Sequence, residues 1–164
     1  MTILLNILIL IVTLVLQTSF LSRFHLFGLV PNLMLILIIS FTFFKRIYEA
    51  YIFAFFAGLV LDILSAGPFG FHLIVFMLIV LAASLILKED LTKISKLFSF
   101  IFAFVSTSVF YITLWFYVSY LGNSFTLTGL LFTLGQIVIT VAFFLLLIPF
   151  LKRFFLWQGR LSKA

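Results

Sequence analysis

The sequence predicts an all-α integral membrane protein, a bundle of six transmembrane helices in one polytopic domain over residues 1–164. Two observations predict this fold class. Of the 164 residues, 66% are hydrophobic and only 9% are charged, and the mean hydropathy is +1.44. Soluble domains carry about 25% charged residues. The apolar residues also fall into runs long enough for a bilayer-crossing helix, which takes about 20 residues. A water-soluble fold cannot bury this much apolar surface.

Six apolar runs separated by short polar segments define the predicted spans. The second run is the least regular, because Pro31 interrupts it. In the alternative prediction, residues 21–31 form a short loop and the second span is short. The predicted spans are residues 3–20, 26–44, 48–64, 69–87, 97–120 and 127–151.

The lysines and arginines between the spans predict the orientation, because cytoplasmic loops of membrane proteins are enriched in these residues. With both termini in the cytoplasm, nine basic residues lie inside and one, Arg23, lies outside. The opposite orientation reverses these numbers, so both termini are predicted to be cytoplasmic. The basic loops also account for the net charge of +6 without a nucleic-acid partner. The nine are Lys45, Arg46, Lys88, Lys93, Lys96, Lys152, Arg153, Arg160 and Lys163.

Small and polar residues recur at helical spacing within several spans. Such residues let membrane helices approach closely and form hydrogen bonds with each other. We therefore favour helix packing as their role, with a polar cavity for a small solute as the alternative. Asn6, Gln17 and Gln136 should face the bundle interior, because an unpaired amide is costly in hydrocarbon. The stripes are Asn6, Thr13 and Gln17; Ala50, Ala54, Gly58 and Asp62; Ser99, Ala103, Ser106 and Thr113; and Thr133, Gln136 and Thr140.

The residue types needed for catalysis are scarce. The chain has two histidines, four acidic residues and no cysteine, so a metal site would be poorly supplied and we expect neither metal nor cofactor. Asp62, Ser65 and His72 are the one combination worth weighing as a nucleophilic site. The sequence around Ser65 reads Leu-Ser-Ala, unlike the G-x-S-x-G elbow of a serine nucleophile. We therefore predict that the protein is not an enzyme and that Ser65 is a turn residue.

The stretch GLVLDILSAGPFGFH, residues 58–72, places Asp62 in the last turn of the third span. An anion is disfavoured at a helix C-terminus, so Asp62 should have a compensating partner. The candidates are backbone N–H groups of the following turn, His72, or a residue from another span. Geometry favours His72 as the side-chain partner. Asp62 and His72 are equally far from Gly67 at the centre of the turn, which places them at similar depth in an antiparallel hairpin.

The same stretch resembles the signature of the bacterial rod-shape-determining MreD family. The similarity covers G-L-V-L-D-I-L-S-A-G-P-F-G at 58–70, Leu-Gln near the end of the first span and Pro-Asn before the second apolar run. His72 is added to these residues as the expected partner of Asp62. The matching residues are Gln17, Pro31, Asn32, Gly58, Asp62, Gly67 and Gly70.

The resemblance implies a scaffold subunit of the cell-elongation machinery in the bacterial cytoplasmic (inner) membrane, which supports rod shape and lateral peptidoglycan synthesis. The principal partner it implies is MreC, through its transmembrane helix. MreB, RodA and a penicillin-binding transpeptidase would belong to the larger complex. The MreD family itself resembles the substrate-binding subunits of energy-coupling-factor transporters. A vitamin-binding subunit of such a transporter is therefore the alternative function.

The orientation is testable by cysteine labelling, because the natural chain contains no cysteine. Single cysteines at positions 45, 88 and 163 should react only after the cytoplasm is opened to an impermeant reagent. Cysteines at positions 67 and 123 should react in intact cells, since the positive-inside distribution places them outside. Labelling of position 88 in intact cells would contradict the predicted orientation.

Overall fold

The structure, a computed structural model, describes residues 2–21, 28–44, 46–64, 69–86, 96–122 and 125–161. Over these residues the chain forms six α-helices, and the predicted number of helices is confirmed. The first helix continues directly into a π-helical turn, Leu16–Leu21. The helices are α1 Thr2–Val15, α2 Leu33–Phe43, α3 Ile47–Leu64, α4 Phe71–Ile86, α5 Lys96–Leu121 and α6 Leu127–Leu161.

Three of the described helices are long and apolar enough to cross a membrane: Ile47–Leu64, Phe98–Leu121 and Leu127–Phe155. The other three are apolar but shorter. Large apolar side chains also cover the outside of the bundle, as a lipid-facing surface requires. Length, composition and this surface together suggest a membrane protein. Exposed examples from five helices are Ile11, Ile52, Leu78, Phe116 and Leu146.

Helix α2 is the centre of the bundle. It contacts all five other helices, and every residue in it except Leu33 is buried. Its 11 residues span about 16 Å at 1.5 Å per residue, roughly half the thickness of a bilayer's hydrocarbon core. The start of α2 lies inside the bundle, since Asn32 and Met34 are buried, so its backbone must find partners without water.

The predicted second span, 26–44, is too long. Residues 30–32 are not helical, and the helix begins after Asn32, which is its N-cap. Pro31 lacks the N–H that a helix interior needs, and an Asn side chain competes for the first helical N–H groups. The second helix is short, as the alternative expected, whereas Leu21 of the expected loop 21–31 belongs to the π-helical turn. Residues 22–27 lie outside the described part of the chain.

Helices α3 and α4 make the most extensive contact in the bundle. The α3 face that meets α4 and the core carries the predicted small residues, and Ala50, Ala54 and Gly58 are all buried. A Cβ atom added at Gly58 would lie 2.4 Å from Leu73 Cα and 2.7 Å from Leu73 N. Only glycine fits there, because such distances are far inside van der Waals contact. Gly58 thus allows the first turn of α4 to lie directly on α3.

The other end of α2 packs into an aromatic cluster. The ring centre of Phe41 lies 4.5 Å from that of Phe53 and 4.8 Å from that of Phe155, and the Arg46 guanidinium lies 5.6 Å from the Phe155 ring centre. Helix α6 continues to Leu161, past the predicted end of the span at residue 151, and its packing on α2 accounts for the extension as far as Phe155. The charges that follow end the apolar run, but the helix continues because Phe155 packs against α2.

Candidate functional site

Among the described residues, Asp62 has four hydrogen-bond contacts at the start of α4. Its Oδ1 accepts from His72 N at 2.9 Å and lies 2.8 Å from His72 Nδ1. Its Oδ2 accepts from Gly70 N at 3.0 Å and from Leu73 N at 3.2 Å. The residue is 3% exposed. Two of the three candidate partners, the backbone N–H groups after the turn and the His72 ring, are confirmed.

The backbone of the first turn of α4 explains why a carboxylate binds there. Gly70 precedes the helix with φ +97° and its carbonyl accepts the first helical bond, from Ile74 N at 2.9 Å. A glycine has no side chain with which to cap the next N–H groups, which have no partner within the helix. Asp62 reaches across from α3 and accepts from them. A carboxylate at a helix N-terminus is also favoured by the helix dipole, which offsets its unfavourable place near the end of α3.

Aromatic rings enclose the histidine of this pair. The His72 ring centre lies 5.9 Å from that of Phe110 and 6.2 Å from that of Phe76. With Asp62 ionised, Nδ1 is the donor, because a carboxylate offers only acceptors. The ring is thereby fixed by one charge-assisted hydrogen bond and by packing against α5.

A second set of polar side chains holds the start of α2. Asn32 Oδ1 accepts from Leu35 N at 3.0 Å, the usual bond of a helix N-cap. Gln17, in the π-helical turn after α1, accepts from Met34 N at 3.0 Å through Oε1. Its Nε2 donates to Asn32 Oδ1 at 3.3 Å. A π-helical turn changes the direction in which side chains leave a helix, and Gln17 lies within this one.

Helix α6 satisfies the backbone just before α2. Val30 N donates to Gln136 Oε1 at 3.3 Å, and Asn32 N donates to Thr140 Oγ1 at 3.4 Å. Pro31 between them has no N–H, so α6 accepts from both backbone donors of residues 30–32. Non-helical backbone inside a membrane protein is stable only where such partners are supplied.

The two helix starts are joined through α5. Tyr111 OH lies 3.3 Å from Thr140 Oγ1, which accepts from the α2 cap. The adjacent Phe110 ring packs against Tyr111 at 5.1 Å and against His72. We call the residues that hold the starts of α2 and α4 the cap site. It comprises Gln17, Pro31, Asn32, Gly58, Asp62, Gly70, His72, Tyr111, Gln136 and Thr140.

The cap site contains seven of the eight residues singled out from the sequence. Gly67, the centre of the predicted turn, and Ser65 lie outside the described residues. Tyr111 was missed, because a single tyrosine in an apolar span gives no periodic signal. Gln136 and Thr140 were identified only as stripe residues. The functional role of all these residues stays a prediction.

The other polar stripes are buried only in part. Gln17 and Gln136 face inward as predicted and bond to backbone, and Thr13 and Thr133 are buried. Thr113 is exposed and donates to Val109 O at 2.6 Å, so its predicted place on a packed face is wrong. Asn6 is half-buried and lines an outer groove rather than the core.

Two grooves lie on the outside of the described bundle. One, of about 590 Å³, runs between α1 and α3 and contains Asn6 and Glu49 among apolar side chains. The other, of about 410 Å³, runs between α4 and α5 and is lined by apolar side chains with Ser106 and Thr113. Within the described ranges, no group of three or more His, Cys, Asp or Glu residues gathers to hold a metal ion.

Comparison of the chain with family models, curated proteins and solved structures finds no match. Function is therefore inferred from the residues and their geometry. The cap site uses its polar side chains as acceptors and donors for the protein's own backbone. That arrangement stabilises a bundle with a buried, short central helix.

Substitutions of Asp62 test whether the cap site stabilises the fold. Asp62→Ala leaves the N–H groups of Gly70, His72 and Leu73 without acceptors, at a cost of about 1–3 kcal/mol for each unsatisfied group. Asp62→Asn keeps one acceptor oxygen but turns an NH₂ group toward the other donors, so it should be milder than alanine and still destabilising. Thermal unfolding of the purified protein in detergent should give the highest unfolding temperature for the wild type, a lower one for Asp62→Asn and the lowest for Asp62→Ala.

The matched control is Glu49→Ala, on the same helix. Glu49 is the other acid of α3, and it pairs with Arg46 at 3.7 Å near the surface, where an ion pair contributes roughly 0–1 kcal/mol. Its removal should change the unfolding temperature little. If Asp62→Ala unfolds at the same temperature as the Glu49 control, Asp62 does not hold the fold.

Proposed function

We propose that this chain is a non-enzymatic scaffold subunit of the bacterial cell-elongation machinery, resident in the cytoplasmic membrane. In this role it supports rod shape and lateral peptidoglycan synthesis by binding the transmembrane helix of MreC. MreB, RodA and a penicillin-binding transpeptidase belong to the larger assembly. All six helices lie in the membrane, and both termini face the cytoplasm.

One observation carries the proposal: the residues that resemble the MreD pattern are those that cap α2 and α4. Gln17 and Asn32 come together at the start of α2, and Asp62 binds the backbone at Gly70 and His72. Residues from all three segments of the resemblance thus take part in the contacts that hold the two helix starts. These contacts support a structural role for the residues of the pattern.

The character of the outer surface supports a scaffold over a solute-binding subunit. A solute site needs an enclosed pocket in which a few polar groups converge. The α1/α3 and α4/α5 grooves are open to the outside and are lined mainly by apolar side chains. The polar amides Gln17 and Gln136 are already bonded to backbone. What the described bundle offers to others is an apolar surface on which membrane helices can pack.

The membrane placement is supported by the ends of the helices. At the end of α2, Arg46 and Glu49 pair beside the aromatic cluster. Lys152 and Arg153 are exposed on α6 next to Phe155 of the same cluster. Basic residues thus gather at the end of the bundle that the positive-inside rule assigns to the cytoplasm. The cap site lies toward the opposite, outer side.

Purification from the native membrane in mild detergent, with mass spectrometry of co-purifying proteins and small molecules, tests this function. Proteins of cell elongation should co-purify. Depletion in a rod-shaped host should give widened, rounded cells. Expression of Glu49→Ala in the depleted cells should restore rod shape, whereas Asp62→Ala should not, because only Asp62→Ala removes the cap of a helix. A stoichiometric bound vitamin, with depleted cells that remain rods and grow again when that vitamin is supplied, would contradict the proposal.

A further inference from the structure

The groove between α4 and α5 has a floor of small residues, unlike the large apolar side chains that cover the rest of the outer surface. The exposed walls are large and apolar, with Leu78 and Leu85 from α4 and Val109 from α5. The floor is made of small residues, Ala83 at 2% exposure and Ser106 at 7%. Helices α4 and α5 themselves contact each other little. The bundle therefore has an open seam of about 410 Å³ where two neighbouring helices do not close.

The feature of this groove that points to a ligand is the buried hydroxyl of Ser106. Hydroxyls on membrane helices usually donate to the carbonyl four residues earlier, as Thr107 and Thr113 do at 2.6 Å. Ser106 is more than nine-tenths buried and lines the groove. Among the described residues its hydroxyl has no hydrogen-bond partner. A buried polar group without a partner points to an occupant that supplies one.

The depth of Ser106 selects the kind of occupant. Ser106 lies near the middle of α5, so the hydrocarbon core surrounds it when the helix spans a bilayer. A lipid acyl chain offers no donor or acceptor at that depth. A transmembrane helix does, through a Ser, Thr, Asn or Gln side chain, and small residues on both sides let the backbones approach.

We propose that the α4/α5 groove is the docking site for the membrane-spanning helix of a partner protein, with a hydrogen-bonding side chain opposite Ser106. The groove extends from residue 75 to residue 85 of α4, which is about 15 Å or three turns of helix. The partner helix packs along this length on Ala82 and Ala83. The identity of the partner rests on the proposed function, whereas the location of the site does not.

Site-specific photo-cross-linking in native membranes tests the location. A photoreactive residue is placed at Ala82 or Val109 in the groove, and at Val138 on α6 as a control that is 64% exposed. The groove positions should form a cross-link to one membrane-spanning peptide, identified by mass spectrometry, and Val138 should not. Cross-links to lipid alone, to a second copy of this chain, or in equal yield at Val138 would overturn the inference.

Two variants test the chemistry of the groove. Ala82→Trp fills it from an exposed position and should reduce the co-purified partner about tenfold, as overpacking of a contact does. Ser106→Ala removes one hydrogen bond and should reduce it about threefold. Val138→Trp is the matched control and should have no effect. Unfolding temperatures near that of the wild type show that each variant is folded; unchanged binding in both groove variants would overturn the inference.

The outcomes separate this inference from the proposed function. If elongation proteins co-purify but cross-link only outside the groove, the docking site is wrong and the function stands. If the groove positions cross-link an identified membrane helix of a protein unrelated to elongation, the docking site stands and the function is wrong.

Discussion

A helix that begins inside an apolar bundle leaves its first N–H groups without partners, and this constraint organises the whole structure. In water these groups bond to solvent, but in hydrocarbon each unsatisfied group costs several kcal/mol. Helix α4 meets the constraint with a carboxylate from α3, since Asp62 accepts from three backbone N–H groups and faces the His72 ring. One acidic side chain therefore fixes where α4 begins and how it lies on α3, and Gly58 allows the approach.

The central helix α2 depends on the same constraint and meets it with neutral groups. Asn32 caps its first turn, Gln17 reaches it from the end of α1, and Gln136 and Thr140 reach it from α6. These acceptors come from sequence-distant segments, so α2 can start only when the surrounding helices are in place. The hydrogen bonds that stabilise this short, buried helix thus come from several parts of the bundle. Because these polar side chains point inward, the outer face of the bundle is apolar.

The sequence was most informative where local chemistry is strong. Six apolar runs gave the helix count, and the symmetric spacing about Gly67 predicted the contact between Asp62 and His72. The helix boundary before α2 was hard to predict, because four of the six residues 26–31 are large and apolar like those of the helix that follows. Hydrogen bonds between residues far apart in the sequence could not be predicted from periodicity. The spacing of polar residues places Gln136 on a polar stripe, but it does not show that Val30 N donates to it. The cap of α2 was therefore found only from the fold.

Hydrogen–deuterium exchange at the start of α4 tests the central claim most directly. The N–H groups of Gly70, His72 and Leu73 have Asp62 as their acceptor and no partner within the helix. They should therefore be protected in the wild type and exchange about tenfold faster or more in Asp62→Ala. Met34 and Leu35, held by Gln17 and Asn32, should change much less in the same variant. Equal exchange at residues 70, 72 and 73 in both proteins would contradict the claim that a single carboxylate holds this helix in place.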